Sequence, residues 1–147
     1  MWSLADEMEN WIKELLSTAE EGFVEIRRSE LASRFSCVPS QVTYVLATRF
    51  VPERGYRVES RRGAGGYIRI VKLPRKECRA QLEAGIGQRV SEREAFTCLN
   101  NLTAAGLLSE ESARHLSLLM ADATLGLPPF LAGKVRARML LTLLEHL

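Results

Sequence analysis

Five side chains between positions 40 and 48 could do recognition chemistry. Ser40, Gln41, Thr43, Tyr44 and Thr48 combine small hydroxyls, an amide and an amphipathic ring. Such groups donate to and accept from base edges and phosphate oxygens. A second candidate lies further along the chain, in the run Arg61-Arg62-Gly63-Ala64-Gly65-Gly66. Glycine removes side-chain bulk and permits positive φ, so such a backbone can approach a partner closely. An arginine at its shoulder supplies charge, and a narrow minor groove attracts arginine. A phosphate-cradling loop is a poorer reading of the glycines. It would precede a helix and carry a Lys-Ser/Thr or GxGxxG fingerprint, and neither is present.

Catalytic and metal-binding chemistry finds no comparable support. Cys37, Cys78 and Cys98 are far apart with no CxxC, and His115 and His146 are isolated. A zinc site is therefore poorly supported, and each cysteine reads as a small packing residue. Ser29 and Ser91 are better explained as helix caps than as nucleophiles. Glu92 and Glu94, two apart on a helix, would not face each other. No enzyme, metal or cofactor is expected.

The elements that must position the two candidate regions can be read from periodicity and end signals. Residues 3–20 predict a helix capped by Ser3 with Asp6 completing a capping box, its apolar stripe formed by Leu4, Met8, Trp11, Ile12 and Leu15. Phe23–Ile26 predicts a short strand. Ser29 is expected to cap a short helix to Phe35, with Leu31, Ala32 and Phe35 inward. Pro39 suits the first turn of the next helix, to Arg49, with Val42, Val45 and Leu46 inward. Its other face carries the five polar residues. Two short helices joined by a brief turn form a helix-turn-helix pattern. Many helical hairpins look similar, so this pattern alone leaves a purely structural reading open.

Tyr56–Ser60 and Tyr67–Val71 alternate like strands on either side of the glycine run. A hairpin directly after a helix-turn-helix is the wing of a winged helix. A boundary follows near residues 72–76, where Lys72-Leu73-Pro74 ends the strand. The remainder predicts helices over about 75–90, over 91–106 with Ala95, Phe96, Leu99 and Leu102 inward, from Ser109 with Ala113, Leu116, Met120 and Ala123 inward, and over 130–146. The last carries Leu131, Val135, Met139, Leu143 and Leu147, widened by Leu140, Leu141 and Leu144. So wide a stripe suits either core or a subunit interface.

Composition agrees with this reading. The chain has 147 residues, 46% hydrophobic and 26% charged, which excludes a disordered or collagen-like chain. No apolar run approaches the ~20 residues of a bilayer span, and the acidic start MWSLADEMENW resembles no leader, so a cytosolic location without membrane attachment is expected. The net charge of +2 is unevenly placed. Residues 1–25 hold seven acidic residues against Lys13 alone, whereas residues 26–72 hold ten basic and three acidic ones. Nine of those ten cations are arginine, the side chain suited to bidentate contacts with phosphate and guanine. A basic surface serving an acidic protein partner, in an interaction module or a kinase or protease adaptor, stays open on these residues alone.

Three runs carry a family resemblance: Val24-Glu-Ile-Arg-Arg-Ser-Glu-Leu-Ala, then the segment Phe35–Phe50, then Glu53–Ile70. Together they closely resemble CtsR, the class III stress-gene repressor family of Gram-positive bacteria. The match is dense over residues 1–72 and looser beyond, for instance at Ile86-Gly-Gln-Arg-Val-Ser91. The resemblance implies a mainly α fold with a small β-wing: an N-terminal winged helix-turn-helix over 1–73 and a C-terminal helical, four-helix dimerisation domain over 76–147. It implies a homodimer that represses clp protease and chaperone genes at tandem repeats in double-stranded operator DNA, with a glycine-rich wing that senses heat. It also implies partners, namely the arginine kinase McsB with its activator McsA, and the ClpC-ClpP protease. By position, Arg62 would enter the minor groove and accept phosphate from the kinase. Arg28 and Arg49 would contact backbone or bases. Ser40, Gln41, Thr43 and Tyr44 would form the reading face. The family wing has four glycines in a row, and here Ala64 replaces the second, which bears on the release temperature.

Overall fold

The computed structural model of the chain describes residues 2–60 and 66–147. Two compact units divide at Leu73 and Pro74. The first contains α1 (Leu4–Thr18), β1 (Phe23–Arg27), α2 (Arg28–Arg34), α3 (Pro39–Arg49), β2 (Tyr56–Ser60) and β3 (Tyr67–Lys72).

Local chemistry accounts for most of these boundaries. Ser3 Oγ accepts from the Asp6 amide and the Asp6 carboxylate accepts from the Ser3 amide, both at 3.1 Å, closing the predicted capping box of α1. Pro39 stands in the first turn of α3, where its missing N–H costs nothing. The cap expected of Ser29 is not formed. Helix α2 begins two residues earlier than such a cap implies, with Arg27 as its N-cap and no side-chain cap bond. Strand β1 runs directly into α2, which leaves no loop in which a serine could cap.

The three strands form an antiparallel sheet in the order β1-β3-β2. Ile26 lies opposite Ile68, and Ile70 is flanked by Val24 and Val58. Alternation puts Ile68 and Ile70 on one face, where both are fully buried. That face joins Met8 and Ile12 of α1, Leu31 of α2, and Val42, Val45 and Leu46 of α3 in one core. Glu9, absent from the expected stripe, is also buried, at 8% exposure. A turn of 3-10 helix at Pro52–Arg54 leads into β2 through Gly55, whose φ of +94° a side chain rarely tolerates. Phe50 and Tyr56 then meet edge to face at 5.0 Å between centroids.

The second unit is helical: α4 (Arg75–Ala84), α5 (Glu92–Ala104), α6 (Glu110–Leu119), the short α7 (Asp122–Leu125) and α8 (Pro129–Glu145). Ser91 and Glu94 close a second capping box, and Ser109 Oγ accepts from the Ser112 amide. Leu99, Leu102, Leu140 and Leu144 are fully buried at its centre. Two expected inward positions differ. Phe96 is 54% exposed, and Ala123 is exposed because α6 stops at Met120 and the chain restarts as α7. In the last helix, whose stripe suited either core or interface, Leu131 is 46% exposed. Helix α8 turns toward the core with Ala132, Gly133, Arg136, Ala137, Leu140 and Leu144 rather than with the heptad of larger side chains. Small residues bring its backbone close, and Gly133 O accepts from the Val90 amide at 3.0 Å. A Cβ at Gly133 would lie only 3.2 Å from Arg89 Cβ.

Arg136 is the buried ion of this unit, at 2% exposure. Its Nε donates to Met120 O at 2.6 Å, its Nη1 to Val90 O at 3.3 Å, and its Nη2 to the Asp122 carboxylate. It thereby satisfies carbonyls where α6 ends and where the loop before α5 closes. No described helix is long and apolar enough to cross a membrane.

Candidate nucleic-acid interface

Helix α3 is divided lengthwise. Val42, Val45 and Leu46 face the core, while Ser40, Gln41, Thr43, Tyr44 and Thr48 are all exposed, Tyr44 at 67%. The turn that delivers α3 contains Ser36 at φ +50°, the one non-glycine residue with positive φ among the described residues. Cys37 N–H donates back to Ala32 O at 2.9 Å. The reversal between α2 and α3 is thus held by backbone conformation rather than by glycine.

The five polar residues of α3 are not equally free. Gln41 Oε1 accepts from the Val38 amide at 3.3 Å and so caps the first turn. Valine has no side-chain acceptor, so this is the reverse half of a capping box only. Thr48 Oγ1 donates to Tyr44 O at 2.8 Å, which commits its proton to its own helix and leaves it an acceptor. Ser40, Thr43 and the Tyr44 ring remain outward at the amino-terminal half, the part of a recognition helix that contacts base edges.

Arg49 ends α3 in an ion pair. Its Nη1 donates to Asp6 Oδ1 at 2.9 Å and to Glu9 Oε1 at 2.8 Å, tying the carboxy end of α3 to α1. Lys13 Nζ holds the other Glu9 oxygen at 2.7 Å. Burial pushes the Glu9 carboxyl upward, but hydrogen bonds from Lys13 and Arg49 outweigh it and leave the group below the usual carboxylate range. The Ser3 amide, followed by Arg49, lowers Asp6 in the same direction. Glu9, then Asp6, raise Arg49 further above its already high value. No spacing signal in the chain points to this clamp, since its partners lie 40 and 43 residues apart.

Arg28 opens α2, and its Nη2 donates to Ser60 Oγ at 3.1 Å, joining α2 to the end of β2. Other cations of the basic segment are also engaged. Arg69 pairs with Glu25 across the β1–β3 ladder, and Arg27 lies 4.8 Å from the Tyr67 ring centroid. Gly66 leads into β3 at φ +58° with open space around it, so conformation and not crowding calls for glycine there. Arg62, Gly63, Ala64 and Gly65, and with them the groove-entering and phospho-acceptor readings of Arg62, lie outside the described residues. Among the described residues no cluster of His, Cys, Asp or Glu could hold a metal ion.

Comparison with known proteins follows the same division. The family model for the CtsR N-terminal HTH domain matches residues 3–74, and that for the CtsR C-terminal dimerization domain matches residues 75–145. The transcriptional regulator CtsR of Staphylococcus haemolyticus is 40% identical over 147 residues, covering 98% of this chain and 96% of its own. That of Geobacillus stearothermophilus is 39% identical over 150 residues, covering 100% and 98%. A crystal structure of CtsR in complex with a 26-bp DNA duplex superposes with a TM-score of 0.75 at 38% identity, covering 98% of this chain and 97% of that one. With both halves matched in order and relatives aligned end to end, this chain belongs to the CtsR family of transcriptional regulators.

Proposed function

We propose that this chain is a dimeric, sequence-specific DNA-binding repressor and not an enzyme, with residues 1–73 gripping the duplex and residues 76–147 joining two copies. The observation that carries this reading is the divided helix α3, polar and exposed outside over an apolar inner face, followed by the β2–β3 hairpin that shares its core. The similarity to a CtsR chain crystallised on a DNA duplex supports the same use of these elements. Ser40, Gln41, Thr43 and Tyr44 would read base edges in the major groove. Arg62 and the glycine run Gly63–Gly66, interrupted by Ala64, would enter the adjacent minor groove. Arg28, held by Ser60 at the end of β2, would reach the phosphate backbone, and Arg49 would do so only by leaving its carboxylates.

Arginine–phosphate contacts would supply most of the affinity and make it fall with salt, because each displaces condensed counterions. Phosphorylation of Arg62 would replace a cation with an anion and turn attraction into repulsion. Heat would loosen the wing first, since a glycine run has few side chains to pack. The family resemblance supports the finer reading: tandem operators of clp protease and chaperone genes, release on heating, and disposal in the cytoplasm through McsB with McsA and through ClpC-ClpP. In the second unit the exposed Leu118, Leu119 and Leu131 suit contact with a second copy.

Footprinting on a clp promoter at two temperatures and in rising salt tests the whole reading. The expected result is protection of adjacent repeats that disappears at the higher temperature and weakens steeply with salt. Absence of any protection in low salt would exclude it and favour an acidic protein partner for the basic segment.

A further inference from the structure

Both tryptophans of the chain line one groove, and no residue of the DNA-reading face takes part in it. The groove, of about 680 Å³, lies between α1 and the end of α2, walled by Trp2, Glu7, Trp11, Glu14, Arg34 and Phe35. Trp2 is 68% exposed, an unusual placement for so large an apolar side chain. Trp11 meets Phe35 edge to face, with centroids 5.8 Å apart, so the floor is packed.

The chemistry of the walls selects a cation. The Arg34 guanidinium lies 4.3 Å from the Trp11 ring centroid, which shows that an indole here receives a guanidinium on its face. The acids of α1 fall into two sets. Asp6 and Glu9 are consumed by Arg49 and Lys13. Glu7 and Glu14 have no cationic partner among the described residues, and both border the groove. Seven residues apart on a helix, they stand about 10 Å apart along its axis. Residues three apart in an extended segment of polyproline II type, with three residues per turn, lie on one side of it and span about 9 Å.

We propose that this groove docks an extended, arginine-bearing segment of a partner protein. Two guanidinium groups three residues apart would meet Glu7 and Glu14, one of them stacking on Trp2. The assignment rests on charge complementarity: of the seven acids in residues 1–25, Glu7 and Glu14 border the groove and have no cationic partner among the described residues, whereas Asp6, Glu9 and Glu25 are paired elsewhere. It uses none of the residues assigned to DNA and stands or falls separately from that reading.

Because Trp2 and Trp11 are the two tryptophans present, intrinsic fluorescence reports occupancy without a label. The probe is a blocked hexapeptide, Ala-Arg-Ala-Ala-Arg-Ala, titrated into the full-length chain. A saturable change in tryptophan emission is expected, with binding about tenfold weaker for the double variant Glu7→Gln, Glu14→Gln, and similarly weaker for Trp2→Ala read through Trp11. The corresponding lysine peptide should bind less well, because guanidinium stacks on aromatic faces better than ammonium. These positions are exposed or at the rim, so circular dichroism and operator binding should be unchanged. No saturable change overturns the proposal. So does equal binding of the arginine and lysine peptides together with an unaffected Trp2→Ala variant, which would mean general electrostatic attraction. A groove variant that alters the oligomeric state in sedimentation would make the occupant a second copy, and also overturns it.

Discussion

Helices α3 and α8 treat charge in opposite ways. Helix α3 is short, keeps its polar side chains outside and buries only aliphatic ones, and its single cation, at the carboxy end, is half-buried against α1. Helix α8 buries a whole arginine at its middle and leaves Phe130, Leu131 and Leu141 exposed. On the proposed function, the difference follows from what each surface would meet. A helix that contacts phosphates and base edges needs exposed donors and acceptors and a fixed end. A helix that contacts another protein surface can expose aliphatic side chains, and its polar requirement is met internally by loop carbonyls.

The largest effect should come from the inner charge. Arg136→Met keeps volume but strands the Met120 and Val90 carbonyls, and should cost about 3 kcal/mol. Hydrogen exchange should show lost protection in α7 and α8 with the β1–β3 ladder unchanged. Equal loss in both units would break the contrast drawn between them. Next in size is the wing: Arg62→Ala should weaken specific operator binding by about 2 kcal/mol and flatten its salt dependence. Unchanged affinity in a gel-shift titration would remove the wing from the interface.

The outer clamp should be weaker than the inner one. Glu9→Gln loses the charge that Lys13 and Arg49 share, a loss of about 1.5 kcal/mol at neutral pH, measured by denaturant unfolding. The pH dependence has a definite sign. Asp6 and Glu9 are both lowered in the folded chain, so their stabilisation is present above the ordinary carboxylate range and disappears as pH falls through their folded values. The Glu9→Gln variant should therefore lose less stability than the parent chain on acidification below about pH 4. The smallest effect is at position 64. Ala64→Gly enlarges the unfolded ensemble of the loop, worth about 0.4–1 kcal/mol, and should lower the temperature at which operator binding is lost. Equal melting of binding by the two proteins would remove Ala64 from the set point.

Features set by neighbours in sequence were legible. The Ser3–Asp6 and Ser91–Glu94 boxes, Pro39 in the first turn of α3, the two strands around the glycine run and the inward trio of α3 all depend on contacts within a few residues. The exposure of the polar face of α3 was legible for the same reason, since that face is the complement of the trio on a helix of known pitch. Ser29 misled because its residue type suits a cap, but a cap needs an extended residue before the helix, and β1 supplies that residue as Arg27. Phe96 misled because periodicity marks an apolar stripe without marking how much of it the core can hold.

What the chain determined alone was local: where helices and strands start, which face of α3 is apolar, and which segment is rich in arginine. Only the folded structure decided which charges meet. Arg49 finds Glu9 across 40 residues and Arg136 finds Val90 across 46, distances over which sequence spacing carries no information. The physical reason is that an ion pair or a buried guanidinium is chosen by the packing of whole elements. Two helical arginines can thus end with opposite roles, one bridging helices at the surface and the other filling a core.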